Sequence, residues 1–199
     1  DTTMKIAVID NYDSFVFNLI RYLEEIDGCE VIVQRNDAIN YEEINACDSL
    51  LLSPGPGIPS EAGELMAIID KYKTEKPILG VCLGHQALLE SFGCELSQNE
   101  YPLHGKSSLI KHRYSSPLFI KIDKEFEVGR YHSWSIKENT SAELEIIAST
   151  KEGEIMAFAH KQLSIYGTQF HPESILTPQG RKIINNWVTI CKSIKKSKI

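Results

Sequence analysis

Residues 78–86 read Ile-Leu-Gly-Val-Cys-Leu-Gly-His-Gln and predict a short buried strand that turns abruptly into a helix. A glycine lies two positions before Cys82 and another two positions after it. This pattern is typical of a sharp turn that exposes a nucleophilic side chain, because larger residues at 80 and 84 would clash. The N–H of Leu83 and the start of the helix would favour an oxyanion and a thiolate there. A small buried cysteine at a strand end is an equally good interpretation of this stretch alone.

Toward the N-terminus the chain alternates short apolar strands with amphipathic helices. Strands are predicted over residues 5–10, 31–33, 49–53 and 77–81. Helices are predicted from residue 16, with Gly28 as C-cap, over about 61–73 and over about 84–92. This alternation favours parallel strands joined by right-handed crossovers, with helices on both faces of the sheet.

After residue 94 the spacing changes, and strands follow one another without long helices between them. They are predicted over residues 107–110, 126–131, 145–148, 155–159 and 165–169. Such spacing indicates an antiparallel extension of the sheet. A last helix is predicted with Thr177 as N-cap and Pro178 at its first position. We therefore expect one domain over residues 1–199, a three-layer α/β/α sandwich with a mainly parallel central sheet.

The amino-acid composition excludes several classes of function. The 199 residues are 42% apolar and 24% charged with a net charge of −6, which fits a globular protein and gives no basic face for nucleic acid or an anionic membrane. The five cysteines include no CxxC pair, so we expect no disulfide framework, no metal site and a reducing cytoplasm. Residues 1–3 precede a natural start at Met4 and are expected to be extraneous, and 192–199 form a basic tail, expected to be a solvated helix end.

Residues 166–174 read Tyr-Gly-Thr-Gln-Phe-His-Pro-Glu-Ser and contain a second candidate for chemistry. His171 and Glu173 follow an apolar strand, and their spacing would let the carboxylate orient the imidazole. A cysteine nucleophile needs such a base and orienting acid. A solvated surface turn is at least as good an interpretation of this stretch by itself.

Residues 53–59 read Ser-Pro-Gly-Pro-Gly-Ile-Pro and follow another apolar strand. Glycines and prolines in this arrangement predict a rigid turn with exposed backbone N–H groups, suited to an oxyanion or an anionic head group. The stretch lacks the GxGxxG pattern and the lysine of a phosphate-binding loop, so nucleotide binding is poorly supported. A purely structural turn is the alternative.

Together these three stretches resemble the class I, triad-type glutamine amidotransferases. Residues 10–15 (Asp-Asn-Tyr-Asp-Ser-Phe), 104–106 (His-Gly-Lys) and 129–133 (Gly-Arg-Tyr-His-Ser) resemble more narrowly the glutaminase subunit, component II, of anthranilate synthase and aminodeoxychorismate synthase. The resemblance extends from about residue 5 to residue 187. It implies a flavodoxin-like fold.

The resemblance also implies a role for individual residues. Cys82 would attack the side-chain amide of L-glutamine, His171 would transfer protons, and Glu173 would orient His171. The backbone N–H groups of Gly57 and Leu83 would form the oxyanion hole. The glutamine-binding residues would be Gly55, Gly57, Gln86, Ser133 and Trp134. Trp134 departs from the leucine usual in the family, which makes the pocket wall bulkier.

A partner is implied as well. Ammonia released here would pass to a large chorismate-utilising synthase subunit that makes anthranilate, 4-amino-4-deoxychorismate or both, for tryptophan or folate synthesis. That partner is expected to use magnesium, whereas this chain is expected to need no cofactor. Its candidate contact surface comprises Tyr12, Asp13, His104, Gly105 and Lys106.

Two other functions remain open on the sequence. The chain could be a stand-alone cysteine-dependent γ-glutamyl hydrolase, or a non-catalytic regulatory module on the same fold. All three triad positions are filled, which counts against the regulatory module.

Overall fold

The computed structural model describes residues 3–113 and 115–198, so residues 1 and 2 of the expected extraneous segment and residue 199 of the basic tail lie outside it. The strands in this range are β1 Met4–Asp10, β2 Cys29–Arg35, β3 Ser49–Leu52, β4 Ile78–Val81, β5 Leu96–Gln98, β6 Lys106–His112, β7 Glu125–Arg130, β8 Trp134–Ile136, β9 Leu144–Thr150, β10 Ile155–His160 and β11 Ile165–Thr168. The α-helices are α1 Val16–Glu24, α2 Tyr41–Asn45, α3 Leu65–Tyr72, α4 Leu83–Ser91 and α5 Gly180–Ser197.

Nine strands of the described chain form one large sheet in the order β2-β1-β3-β4-β11-β10-β9-β6-β7. The five strands from β2 to β11 are parallel to one another. Beyond β11 each strand is antiparallel to its neighbour. The expected fold class, a parallel sheet with an antiparallel extension, is confirmed.

Helices cover both faces of this sheet and bury separate cores. On one face α1 and α5 bury Leu19, Leu23 and Trp187 against the strands. On the other face α3 and α4 bury Ile69 and Leu88. Apolar residues at helical spacing account for both contacts, since each helix presents one stripe to the sheet.

Strand β11 differs from the expectation in one respect that matters for the site. The sequence pattern groups residues 165–169 with the closely spaced strands of the antiparallel extension. Instead β11 pairs antiparallel with β10 and parallel with β4, with Gly167 opposite Gly80 and Thr168 opposite Val81. The chain that leaves β11 therefore emerges beside Cys82, which directly follows β4.

Two predicted helix ends are wrong. The helix expected over 61–73 begins only at Leu65, after a 3₁₀ turn over Pro59–Glu61. Gly63 has a φ of 54°, and a Cβ on it would lie 2.6 Å from the Asn36 carbonyl oxygen, so the chain breaks there. Gly28 (φ 78°) is not the C-cap of α1, which ends earlier, and instead makes the turn into β2.

The predicted start of the last helix is also wrong, for a reason that concerns the site. Helix α5 begins at Gly180, after Thr177 and Pro178. The Thr177 hydroxyl donates to the His171 carbonyl oxygen at 2.7 Å and accepts from the Gly129 N–H at 2.8 Å. The threonine therefore braces the His171 segment instead of capping a helix.

Short elements were missed, and the basic tail is less solvated than expected. The two-stranded sheet of β5 and β8 and the five-residue helix α2 are too short and too polar to give a clear periodicity.

The tail belongs to α5, where Lys195 Nζ lies 3.0 Å from the Asp48 carboxylate. No helix among residues 3–113 and 115–198 combines the length and apolar character that a membrane crossing needs.

Candidate active site

Cys82 lies in the sharp turn between β4 and α4. Its φ of 53° falls in the left-handed region that few residues other than glycine adopt. A Cβ added to Gly80 would lie 2.5 Å from the carbonyl carbon of Gly84, and one added to Gly84 would lie 2.5 Å from the Leu52 carbonyl oxygen. Both flanking positions therefore require glycine. Such local strain is kept where the surrounding structure holds it and is common at functional sites.

The sulfur of Cys82 is buried, and besides His171 it has polar neighbours on Gln169 and Tyr131. The Gln169 side-chain amide nitrogen lies 3.6 Å from Sγ, and the Tyr131 carbonyl oxygen lies 3.8 Å from it. Gln169 follows β11, so its position depends on the parallel pairing of β11 with β4. Gln169 was not among the predicted site residues, because its only signal is a polar side chain at the end of an apolar strand, just before Phe170.

His171 and Glu173 form a buried pair. Nδ1 of His171 lies 2.5 Å from the Glu173 carboxylate. Burial by itself lowers the pKa of His171, but the Cys82 sulfur and the Glu173 carboxylate together raise that pKa well above its ordinary value. The imidazole thus interacts with both other members of the predicted triad. Within the described residues Nε2 has no hydrogen bond of standard geometry, which leaves it for the sulfur and a substrate.

Two cavities meet at Tyr131. The first, of about 230 Å³, contains Cys82 in its wall together with the predicted glutamine-binding residues Gly55, Gly57, Gln86, Ser133 and Trp134. The second, of about 270 Å³, is lined by the His171–Glu173 pair and by apolar side chains. Tyr131 lines both cavities, and its ring lies 4.9 Å from the His171 ring. The nucleophile candidate and the histidine therefore open onto adjoining spaces.

The glycine-rich loop over 53–57 is held by the buried amides of Asn11 and Asn36, which were not among the predicted site residues. The Asn11 backbone N–H donates to the Ser53 hydroxyl at 2.8 Å, and the Asn11 side chain donates to the Ser53 carbonyl oxygen at 2.8 Å. Asn36 in turn donates to the Asn11 side chain at 2.9 Å. A Cβ on Gly55 would lie 2.4 Å from the Asn11 carbonyl oxygen, so the loop packs directly on the end of β1. Gly57 has a φ of 74°.

The residues of the candidate partner surface occupy two places. His104 lines the first cavity, and Gly105 and Lys106 follow it into β6. Tyr12 is exposed, with a φ of 64°. Asp13 is partly buried and lies close enough to Glu173 to feel its charge, and burial together with that charge raises the pKa of its carboxyl to about 6.

A chain of hydrogen bonds between neutral groups leads away from the sulfur. Gln86 Nε2 donates to the Trp134 carbonyl oxygen at 2.7 Å and to the Gln169 side-chain oxygen at 3.2 Å. His132 Nδ1 also lies 3.0 Å from the Trp134 carbonyl oxygen. In the described part of the chain no cluster of three or more His, Cys, Asp or Glu side chains could hold a metal ion.

Comparison with known proteins identifies the family. Residues 7–191 match the family described as glutamine amidotransferase class-I. The chain is 44% identical to the aminodeoxychorismate/anthranilate synthase component 2 of Bacillus subtilis, over 92% of this chain and 95% of that protein. It is 43% identical to the bifunctional protein TrpGD of Thermotoga maritima over 94% of this chain, but spans only 32% of that longer protein.

A solved structure shows the same arrangement of elements. The chain superposes with a TM-score of 0.88 on a Thermoplasma acidophilum protein described as part of a GMP synthase, at 30% identity and with 98% of each chain covered. The fold, the site and these matches define the class: the chain belongs to the class-I glutamine amidotransferases, and it is an enzyme of that family.

Proposed function

We propose that this enzyme hydrolyses L-glutamine through a thioester on Cys82 and delivers the ammonia to a chorismate-utilising synthase subunit. The observation that carries the proposal is the strained position of Cys82 beside the buried His171–Glu173 pair. The name of the Bacillus relative supports the choice of synthase and includes both anthranilate and aminodeoxychorismate.

The first half of the reaction forms the thioester. The Cys82 sulfur attacks the side-chain amide carbon of glutamine, and the carbonyl electrons move onto oxygen. The backbone N–H groups of Leu83 and Gly57 would donate to that oxyanion, a contribution typically worth several kcal/mol for each donor. His171 then gives its proton to the amide nitrogen, which leaves as ammonia when the C–N bond breaks. Glu173 keeps the imidazole oriented and stabilises its positive form.

The second half returns the enzyme to its starting state. His171, now neutral, removes a proton from water, and the hydroxide attacks the thioester carbon. The C–S bond breaks, the sulfur leaves as thiolate, and glutamate is released. A histidine whose pKa is raised by two neighbouring anionic groups serves both steps, because it holds a proton in the first and accepts one in the second.

The first cavity would hold the amino-acid end of glutamine. Gly55, Ser133 and Trp134 line this space, and Gln86 fixes the Trp134 carbonyl by a 2.7 Å hydrogen bond. Trp134 is part of the wall, so it would narrow the pocket around the amino-acid end. Limited room there would select a substrate whose amino-acid end is free.

The partner would dock over the second cavity and the rim around it. Phe15 and Ile175 line this cavity with 54% and 94% of their surface exposed, which is unusual for large apolar side chains. Tyr12 and Asp13 precede Phe15, and His104–Lys106 would form another part of the rim. Ammonia becomes non-nucleophilic ammonium in neutral water, so an enclosed path through this face would be needed. All five cysteines are free, which fits the reducing cytoplasm that we propose for the enzyme.

The test uses the enzyme together with a chorismate-utilising synthase subunit. Cys82→Ala should abolish glutamine hydrolysis and glutamine-dependent product formation, while synthesis from added ammonium salts continues. Cys94→Ser is the matched control, because Cys94 is a buried free cysteine that lines neither cavity and should leave both activities intact. Retained hydrolysis in Cys82→Ala would refute the assignment of the nucleophile.

The same mixture separates the remaining alternatives. Product analysis with an anthranilate-forming and an aminodeoxychorismate-forming partner decides the branch. Hydrolysis of γ-glutamyl peptides without stimulation by either partner would support a stand-alone hydrolase instead. No hydrolysis under any condition would support a regulatory module.

A further inference from the structure

We propose that Gln169 is a positioning residue that directs an amide N–H at the Cys82 sulfur and thereby favours its thiolate. The proposal rests on the glutaminase function proposed above, because it concerns the same nucleophile. Gln169 is buried, and its side-chain amide lies 3.6 Å from Sγ. The reaction steps given above assign this side chain no other task.

The orientation of the Gln169 amide follows from its neighbours. The Trp134 carbonyl oxygen can only accept a hydrogen bond, so the Gln86 group 2.7 Å from it must be the NH₂. The second hydrogen of that NH₂ is directed at the Gln169 side chain 3.2 Å away, which must therefore present its oxygen. The remaining Gln169 group, 3.6 Å from Sγ, is the NH₂.

The Trp134 carbonyl oxygen, which accepts from Gln86, is also contacted by His132. A guanidinium only donates, so the Arg130 Nε contact at 3.2 Å makes His132 Nε2 an acceptor and places the ring proton on Nδ1. That proton is donated to the Trp134 carbonyl oxygen at 3.0 Å. Burial lowers the pKa of His132 to about 4, in keeping with a neutral ring. Arg130 is anchored in turn by an ion pair with Glu154.

The arrangement distinguishes the two forms of the sulfur. A thiol can donate to the Tyr131 carbonyl oxygen 3.8 Å away, whereas a thiolate can only accept, and Gln169 is positioned to donate to it. A hydrogen bond to the charged form of a group stabilises that form. Because the amide itself does not titrate, it acts at every pH and never competes with His171 for the proton.

The test compares Gln169→Met, which keeps the length but removes the donor, with Gln169→Glu, which keeps the shape but places a carboxylate beside the sulfur. The readout is the pH midpoint for alkylation of Cys82 by iodoacetamide, followed by mass spectrometry of the peptide that contains it. Loss of a hydrogen bond to a charged group should raise the midpoint by about one pH unit or more in Gln169→Met. The rise should be larger in Gln169→Glu.

Thr168→Val is the matched control. It removes a buried hydrogen bond of the neighbouring residue, from the Thr168 hydroxyl to the Phe170 carbonyl oxygen at 3.0 Å, without touching the sulfur. Its midpoint should equal that of the wild type. A general loosening of the segment would shift Thr168→Val as much as Gln169→Met and would overturn the proposal.

Two further results complete the test. A wild-type midpoint in a folded Gln169→Met or Gln169→Glu protein overturns the proposal, and Gln169→Glu decides alone if the methionine variant does not fold. Glutamine turnover with the partner should fall about tenfold in Gln169→Met at neutral pH and recover as the pH is raised. Absent turnover in the wild type, together with a shifted midpoint, would refute the proposed function while supporting the contact between Gln169 and the sulfur.

Discussion

Two sets of side chains with different chemistry serve Cys82. The first set is the buried pair of His171 and Glu173, in which Nδ1 lies 2.5 Å from the carboxylate, and we call it the ionisable side. The second set, which we call the amide side, is a series of hydrogen bonds through Gln169 and Gln86 to the Trp134 carbonyl oxygen. His132 contacts the same oxygen and is included in this set. The ionisable side can move protons during the reaction. The amide side can only fix the charge and geometry of groups that stay in place.

The histidines on the two sides respond to this difference. Burial tends to lower the pKa of both, but the pKa of His171 is raised well above its ordinary value by the Cys82 sulfur and the Glu173 carboxylate. His132 has Arg130 beside it, and its pKa is lowered to about 4. The Cys82 sulfur and the Glu173 carboxylate thus outweigh the effect of burial on the pKa of His171, whereas burial dominates at His132 and the Arg130 charge adds to it.

The largest expected effect is on the ionisable side. Glu173→Gln should lower kcat for glutamine about 10²- to 10⁴-fold, because an amide in this position can donate to Nδ1 and move the ring proton to Nε2, where a base is needed. KM should change little. Steady-state kinetics with the partner subunit measures both values. Glu152→Gln, an exposed residue, is the control, and a kcat loss shared by both variants would contradict the assigned role.

The next effect concerns acid stability on the amide side. Because the folded pKa of His132 is about 4 and the unfolded value is near 6.5, the unfolded state binds more protons between these values. Stability that is fully present above pH 6.5 is therefore lost as the pH falls toward 4. From pH 7 to pH 5 this amounts to about 2 kcal/mol.

The variant His132→Asn should lose that dependence, although its stability at pH 7 should also fall because the Arg130 contact is removed. Urea unfolding at both pH values measures the difference between them. His104→Asn, on the exposed rim, is the control. An unchanged pH dependence in His132→Asn would show that folding does not lower the pKa of His132.

A smaller effect is expected where the amide side meets the substrate. Gln86→Leu removes the donor to the Trp134 carbonyl oxygen and should raise KM for glutamine about tenfold, the equivalent of one hydrogen bond, with a smaller change in kcat. Initial-rate kinetics with the partner measures the two values separately. A large loss of kcat at unchanged KM would place Gln86 with the proton-transfer side instead.

The smallest effect lies far from both sides. Lys195→Met breaks the contact with the Asp48 carboxylate and should lower the free energy of unfolding by about 1 kcal/mol or less, as is usual for a partly exposed ion pair. Glutamine hydrolysis should be unchanged. A loss of glutamine hydrolysis in this variant would mean that the end of α5 affects the structure of the active site.

Local patterns were sufficient for the fold and for the residues at strand ends. The alternation of strands and helices and the paired glycines around Cys82 are short-range signals, since strand and helix periods and left-handed turns depend on neighbouring residues. The same reasoning failed for Thr177 and for β5 and β8, where a cap-like residue is used for a tertiary contact or the strand is too short to show a period.

Contacts that depend on pairing between distant segments could not be predicted from the sequence. The position of Gln169 beside Cys82 depends on β11 lying parallel to β4, and nothing in either segment alone specifies that partner. The buried amides of Asn11 and Asn36, which hold the glycine-rich loop, depend in the same way on neighbouring strand ends. Asp13 looked like a surface residue because its burial comes from elements distant in sequence.

The most direct test of the account is to trap the covalent intermediate. The enzyme with its partner is mixed with glutamine, quenched in acid and digested, and the mass of the peptide that contains Cys82 is measured by mass spectrometry. We expect a γ-glutamyl group on Cys82 that accumulates when water attack is slowed in Glu173→Gln. A glutamyl group on another residue, or ammonia release that persists in Cys82→Ala, would contradict it.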